Sequence, residues 1–502
     1  MLVKLLKGDP LEEQSLAERG TENLLLYAPE AGGCQAGSRF LEDTKVIRKS
    51  AKEQLRRPSR LRFVDNGIMT TPAGENVVPQ NCTVALLGFG TVGSSVARIL
   101  CERSNPHLRL THILNRNVAR KKVDWLPSSV QWTENIDDIL SSSTDIVVEV
   151  IGGLQPTEEW IRRALQSGKS VVTANKQLIA RSGAELLALA RQMKQQIQFG
   201  ASVAGGVPVI SGLQEGLAGD DLFRISGILN GTCNYILSQI ESHGIPFATA
   251  LREAQKLGFA EADPTEDIDG LDARAKLAIL ARVGLHCQVN PESIVACSIS
   301  AIDSIDFDYA RQLGCTIRQI SRAELKKTSN GNELFVAVQP ALVDLASPLA
   351  RVEGSQNLVV ATGTYGGETV FGGHGAGGHP TAVAVVSDIL AIANFKQRAQ
   401  FEKPDVAPAL EKTCAVTADF ATRHYLRFSV KDRPGIIASL ATILSHSGIN
   451  IDSVLQKPDC PKSHLPFLIT LEECKASLVE KALQQINTLD FMVQACLHLP
   501  IL

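Results

Sequence analysis

The sequence is short of the features that would send a chain to a membrane, a nucleic acid or an oxidising compartment. Its eleven cysteines stand singly, with no Cys-x-x-Cys pair. That spacing argues against a zinc ribbon or a disulfide framework and suits a reducing cytoplasm. Charge is nearly balanced at a net -3, so there is no electrostatic footprint for nucleic acid. No apolar run approaches membrane-spanning length, and no transmembrane helix is expected. The N-terminus lacks an apolar run followed by a small-residue cleavage site. It carries Asp9, Glu12, Glu13 and Glu18 instead, which speaks against a secretory signal and an organelle transit peptide.

What is present is a packed-protein composition, 44% hydrophobic and 21% charged over 502 residues, long enough for several domains. Residues 1–78 say least. They show weak helical periodicity over 11–26, a basic run from Lys45 to Arg62, and a Pro-containing linker after Met69. They read as an N-terminal extension, either disordered or lying ahead of a true start at Met69.

From residue 79 the pattern sharpens. An apolar strand, Thr83–Leu87, runs into Gly88-Phe89-Gly90-Thr91-Val92-Gly93 and then a helix. Strand, G-x-G-x-x-G, helix is the context in which glycines let a pyrophosphate approach the backbone at a helix N-terminus. The next strand ends at Asn115-Arg116 with no carboxylate for ribose hydroxyls. Arg116, Arg120, Lys121 and Lys122 cluster there instead, which favours a 2′-phosphate, hence NADP over NAD. Strands at Asp145–Gly153 and Lys169–Lys176 alternate with helices to about residue 200. This predicts a doubly wound parallel sheet of the Rossmann type over 79–200. Thr173, Asn175 and Lys176 fall at a strand carboxyl end, where such sheets bind ligands.

Residues 201–395 read as a mixed α+β substrate and dimerisation domain. Phe223–Leu237 is strand, Asn-Gly turn and helix. Helical segments are expected to about 325, with two or three strands such as Leu334–Pro340 and Asn357–Gly363. Between them, Ala254–Lys276 packs six acidic residues among glycines and one proline, then enters a helix. Asp272 and Lys276, four apart, share a helical face. Glu261, Asp263 and Asp267 precede them on a loop broken by Pro264 and Gly270. A linker is expected over 396–423. Residues 424–502 then read as a separate βαββαβ ferredoxin-like unit.

These motifs resemble homoserine dehydrogenase from about Cys82 to Asn394, and an ACT domain from about Tyr425. The match rests on Ala254, Gly258, Phe259, Ala260, Asp263, Pro264, Asp267, Ile268, Gly270, Asp272 and Lys276 at the family's spacings, with GFGTVG, EVIGGLQP, VVTANK, GILNGTCNYIL and GHGAGGHPTA in order. The resemblance implies NAD(P)H-dependent interconversion of L-aspartate 4-semialdehyde and L-homoserine, on the route to threonine and methionine. It implies Lys276 as proton donor, Lys176 as its partner near the nicotinamide, and Asp272 orienting Lys276 and binding substrate. Glu261 would hold the substrate ammonium, with Asp267 in the same network and Thr173 and Asn175 at the substrate. Gly88, Phe89, Gly90, Thr91, Val92 and Gly93 would bind pyrophosphate, Arg116 the 2′-phosphate, and Gly258 and Gly377 would lie near the nicotinamide.

One departure stands out. Family members often carry a glutamate just before ASVAGG that helps bind a monovalent cation, and here that position is Gly200. A sodium site would rest on the backbone carbonyls of Val203, Gly205 and Val207. The ACT resemblance implies an amino-acid effector, threonine first, near Arg433-Pro434-Gly435, and a homodimer or homotetramer. Two other readings compete: an inactive amino-acid sensor, and a thioester-forming semialdehyde dehydrogenase using Cys233.

Overall fold

The computed structural model describes residues 82–103, 107–329, 331–399, 412–458 and 460–502. The extension read at 1–78 and the alternative start at Met69 lie outside them. The strand Cys82–Leu87 (β1) is buried at every position, as a strand covered on both faces must be. Helix Thr91–Glu102 (α1) follows, then Leu108–Leu114 (β2), Gln131–Thr133 (β3), Ile146–Glu149 (β4), Thr157–Gln166 (α2), Ser170–Thr173 (β5), Lys176–Gln192 (α3) and Ile197–Gln198 (β6). Every pairing is parallel, in the order β3-β2-β1-β4-β5-β6. The order reverses between β1 and β4, where a crevice opens at the strand carboxyl ends. The expected Rossmann sheet is therefore present.

The chain next forms Leu222–Ile228 (β7), Gly231–His243 (α4), Phe247–Lys256 (α5) and Leu271–Leu285 (α6). Cys315–Thr328 (β8), Gly331–Asp344 (β9), Gln356–Gly363 (β10), Gly367–His374 (β11) and Gly378–Ala399 (α7) come after. The helical expectation to 325 fails at Cys315. Ala323-Glu324-Leu325-Lys326 favours a helix locally. Residues 315–328 nevertheless pair with β9 throughout, from Cys315↔Asp344 to Thr328↔Gly331. Cross-strand packing outweighs a weak intrinsic preference.

Helix α7 passes the length and composition test for a membrane span. Its inner face shows it to be a core helix, with Ala382, Val385, Val386, Ile389 and Ile392 buried in one cluster with Val84 and Leu86 of β1 and Val96 of α1. A helix far along the chain from the first sheet thus closes one of that sheet's faces.

The last segment, Ala421–Val430 (β12), Ile436–His446 (α8), Ile451–Gln456 (β13), Leu465–Lys475 (β14), Ala476–Ile486 (α9) and Leu497–Ile501 (β15), has the expected βαββαβ order. It is not a detached unit. Its strands continue the second sheet in the order β11-β10-β7-β8-β9-β15-β12-β14-β13, joined where Leu342 pairs with Ile501. The open edge of β15 accepts β9, as exposed edges do when a partner strand is at hand. The join is reinforced from the helical side. Asp306, fully buried, accepts from Tyr425 Oη at 2.7 Å and Arg427 Nε at 2.6 Å.

Candidate active site

Two of the three fingerprint glycines have a steric reason, and the third leaves open space. Gly88 sits at φ +101°, which L side chains avoid. A Cβ on Gly93 would lie 2.2 Å from the Gly88 carbonyl oxygen, so the helix packs on its strand only as glycine. A Cβ on Gly90 would meet nothing within 4 Å, leaving backbone bare at the N-terminus of α1 beside Thr91 and Val92. That suits a phosphate. The Phe89 side chain does not face this space. It is 5% exposed and packs edge-on to Trp132 at 4.9 Å. Arg116 is exposed just beyond β2, close in sequence to Arg120 and Lys121 of the short helix Val118–Lys121.

At the ends of β4 and β5 the residues Thr173 and Asn175 are spoken for. Glu149 is fully buried. Its Oε1 accepts from the Ile151 and Gly152 amides at 2.8 and 2.9 Å, and its Oε2 from Thr173 Oγ1 at 2.5 Å. Thr173 Oγ1 accepts from the Asn175 amide, while Asn175 Oδ1 caps α3 at Leu178. Burial pushes the Glu149 carboxyl above the usual range, against these hydrogen bonds. Neither Thr173 nor Asn175 lines the cleft; both hold the turn that delivers Lys176 to it. Glu261, the expected ammonium ligand, stands exposed and also lies outside the cleft lining.

The cleft has a volume of about 510 Å³. Its floor is the start of α6. Gly270, at φ +76°, turns the chain, and the helix then presents Asp272 and Lys276 on one face. Asp272 is 7% exposed. Its Oδ1 meets Lys176 Nζ and its Oδ2 meets Lys276 Nζ, each at 2.7 Å. Burial works against this carboxylate. The two ammonium groups overcome it and hold Asp272 well below the usual carboxylate range. Lys176 is correspondingly raised, the Asp272 attraction outweighing its own desolvation. Lys276 also donates to the Leu229 carbonyl at 2.8 Å, which fixes its ammonium at the cleft wall. Asp267 lines the same cleft, and burial raises its pKa.

The residue that knits this site is Asn230, which sequence reasoning passed over as half of an Asn-Gly turn. Its Nδ2 donates to Asp267 Oδ1 at 2.7 Å and to Asp272 Oδ2 at 3.0 Å, while its Oδ1 caps α4 at Cys233. Asn357 was also missed; its Nδ2 donates to the same Leu229 carbonyl as Lys276. A lone amide between a buried strand and a helix was the available signal for Asn230. Cys233 itself is fully buried, and burial with Asp267 nearby pushes its thiol well above the ordinary value. It is unsuited to a thiolate nucleophile.

Gly258 and Gly377, both at positive φ, line this cleft. A Cβ on the neighbouring Gly378 would come within 2.9 Å of Thr91 and Ser95 side-chain atoms. The Gly-rich loop therefore rests on the N-terminal turn of α1 and bridges the fingerprint to the cleft. The Val203–Val207 segment packs beside that loop, with Gly206 N donating to the His374 carbonyl. Of the three carbonyls considered for a cation, Val207 O already accepts from Val209 N. At Gly200 a carboxylate is present after all, supplied by α7. Asp388 Oδ2 accepts from Gly200 N at 2.8 Å, where a Cβ on residue 200 would meet Asp388 Oδ1 at 2.9 Å. Among the described residues no group of three or more His, Cys, Asp or Glu could hold a metal ion.

Comparison with known proteins follows the same division of the chain. Family models match at residues 88–200 (Homoserine dehydrogenase, NAD binding domain), 208–390 (Homoserine dehydrogenase) and 424–491 (ACT domain). A homoserine dehydrogenase of Bacillus subtilis is 39% identical over 75% of this chain and 87% of its own length. One from Corynebacterium glutamicum is 35% identical over 81% and 95%. The crystal structure of a homoserine dehydrogenase from Thiobacillus denitrificans superposes with TM-score 0.76 at 33% identity, covering 84% of this chain and 98% of that one. A hyperthermophilic archaeal homoserine dehydrogenase in complex with NADPH superposes with TM-score 0.54 at 28% identity, over 63% and 98%.

Proposed function

The chain belongs to the homoserine dehydrogenase family, NAD(P)-dependent oxidoreductases acting on a CH–OH group, and from that premise we propose how its own residues perform the reaction. The substrate is L-aspartate 4-semialdehyde, reduced reversibly to L-homoserine for threonine and methionine synthesis. The nicotinamide cofactor, when bound, supplies the hydride. The Gly88–Gly93 turn holds its pyrophosphate, and Arg116 holds a 2′-phosphate, making NADPH the preferred form. Gly258 and Gly377 border the nicotinamide end.

Reduction of an aldehyde leaves negative charge on oxygen, which must be stabilised and then protonated. Lys276 donates that proton. Its ammonium is held by Asp272 and the Leu229 carbonyl, so little reorganisation is needed as charge develops. Lys176, on the opposite oxygen of Asp272, supplies a second ammonium at the cleft. The observation that carries this reading is the single buried carboxylate shared by two lysines. Asp267 contributes negative charge toward the substrate ammonium, and Glu261 joins it on binding. Thr173 and Asn175 act from behind Lys176 as positioning residues. Dependence on a monovalent cation is low: the carboxylate beside Gly200, Asp388, is engaged by the Gly200 amide, and Val207 O already accepts from Val209 N. The C-terminal unit is regulated by an amino acid, threonine first. The chain is a cytoplasmic homo-oligomer; the exposed edge strand β11, with Val370 45% exposed, offers a surface for a second copy.

The test is cofactor oxidation and reduction with aspartate semialdehyde and homoserine, comparing NADPH with NADH, with and without threonine and Na⁺. Turnover preferring NADPH, slowed by threonine and indifferent to Na⁺, is the expected result. Absence of turnover with both cofactors would overturn the catalytic reading.

A further inference from the structure

The cleft must receive a substrate ammonium beside two lysines, and few of its residues can answer that charge. Among the described residues that line it, only Asp267 and Asp272 are acidic. Asp272 is spent, one oxygen on each lysine. Glu261 and Asp263 are exposed and outside the lining, and Asp263 Oδ1 is taken by the amide and hydroxyl of Thr265. Asp267, half-buried on the short helix Thr265–Ile268, is the carboxylate left for the ligand. Its Oδ1 accepts from Asn230 Nδ2 at 2.7 Å, and its Oδ2 has no hydrogen bond among the described residues.

Asn230 is placed to hold that carboxylate. It is 4% exposed and caps α4 just after β7. An amide nitrogen carries two hydrogens and the amide oxygen none, so the contacts fix which atom is which. Oδ1 faces the Cys233 amide at 2.8 Å. Nδ2 is then the atom that meets two carboxylates, Asp267 Oδ1 at 2.7 Å and Asp272 Oδ2 at 3.0 Å. Both hydrogens are used on negative oxygens, one from the segment before α6 and one from α6 itself.

Two carboxylates gathered on one nitrogen repel each other, and burial adds to the cost of charging both. The charged groups that face Asp267 are Asp272 and Lys276 of α6 and Lys176 of α3, with Glu266 and Asp269 flanking it in the chain. From α4 the Cys233 thiol donates to the Asp267 carbonyl at 3.0 Å and stays neutral. The two lysines bond to Asp272 and act on Asp267 only from a distance. Asn230 is the side chain that bonds to the Asp267 carboxylate directly. With both carboxylates ionised, two positive and two negative groups balance. With Asp267 protonated, the lysines would leave the cleft repelling an ammonium.

We propose that Asn230 is a positioning residue for the substrate ammonium: its Nδ2 group, shared between Asp267 and Asp272, holds the two carboxylates side by side and leaves Asp267 Oδ2 for the ligand. The proposal rests on the catalytic reading above, in which Asp267 answers the ammonium, and adds the residue that enables it to. Loss of the donor disfavours the Asp267 carboxylate, so the pH below which substrate recognition fails should rise. In the reducing direction Lys276 works protonated and sets the alkaline limb of kcat/KM, which leaves the acid limb to the carboxylates. A residue that only capped α4 would leave that limb where it is.

The experiment is steady-state reduction of L-aspartate 4-semialdehyde by the full chain with saturating NADPH, followed as a function of pH. Asn230→Ser keeps an oxygen to cap α4 but is too short to reach the carboxylates. Asn230→Asp keeps length and cap and replaces the donor by a carboxylate oxygen. Both are compared with the wild type, Asp267→Asn and the double variant Asn230→Ser/Asp267→Asn, and circular dichroism checks each fold. In Asn230→Ser the acid limb should move up by about one pH unit, and KM for the aldehyde should rise about tenfold with kcat within about threefold. Asn230→Asp should shift the limb at least as far. Asp267→Asn should raise KM by itself, and adding Asn230→Ser to it should change little further. If Asp267→Asn raises KM while both Asn230 variants keep the wild-type limb and KM, Asn230 is a helix cap only; the proposal falls and the catalytic reading stands. An unchanged KM in Asp267→Asn overturns the ammonium reading and the proposal together.

Discussion

Asp272 and Glu149 are both buried carboxyls, each at the end of a regular element beside the same Lys176-bearing segment. They are driven in opposite directions. Asp272 faces two ammonium groups at 2.7 Å and is held charged. Glu149 has only neutral donors, two amides and a hydroxyl, and burial raises it. Burial alone therefore does not mark a working carboxylate. What separates these two carboxyls is the presence of cations beside Asp272 alone, and the comparison can be broken at either end.

The largest effect should come from Asp272→Asn. The amide leaves the two ammonium groups without the carboxylate that bridges them. Removing one member of a buried ionic cluster costs on the order of 3–5 kcal/mol, and turnover should fall by about a hundredfold or more. Because the folded-state pKa is depressed, the Asp272 contribution to stability is present above the ordinary carboxylate range. It is lost as pH falls through the folded value. Thermal unfolding of wild type and variant should therefore converge toward acid pH; a constant gap down to strong acid would remove the charge argument.

Arg116→Ala should come next. If Arg116 holds a 2′-phosphate, the KM for NADPH rises by about tenfold and that for NADH does not move. Equal changes for both cofactors would return Arg116 to a surface role. Glu149→Gln should be the mildest. It keeps shape and most hydrogen bonds, costing about 1 kcal/mol. The sign of its pH dependence is opposite to that of Asp272. With the folded pKa raised, wild-type stability is fullest at low pH and declines as pH rises through the folded value. Glu149→Gln should lack that decline.

Much of this was legible in the sequence where local rules govern. The glycines at 88 and 93 announce their turn because each answers a backbone constraint within six residues. Asp272 and Lys276 share a face because helical geometry fixes it. The illegible parts depend on long-range partners. Residues 315–328 form a strand because β9 pairs with them along their whole length. The C-terminal unit joins the catalytic sheet through one register pair, Leu342 with Ile501. Thr173 and Asn175 were placed correctly at a strand end, but only Glu149, more than twenty residues upstream, shows that their side chains face the scaffold. The carboxylate beside Gly200 comes from Asp388 on α7, which no local reading of residue 200 could supply.

The central claim is that a lysine ammonium, anchored by Asp272, delivers the proton to the carbonyl oxygen. The most direct measurement is single-turnover oxidation of NADPH by L-aspartate 4-semialdehyde in Lys276→Ala, with NADPH affinity determined on the same samples. The predicted result is hydride transfer slowed by about a thousandfold with cofactor affinity unchanged. Transfer within about tenfold of the wild-type rate would contradict the assignment of Lys276 as the acid.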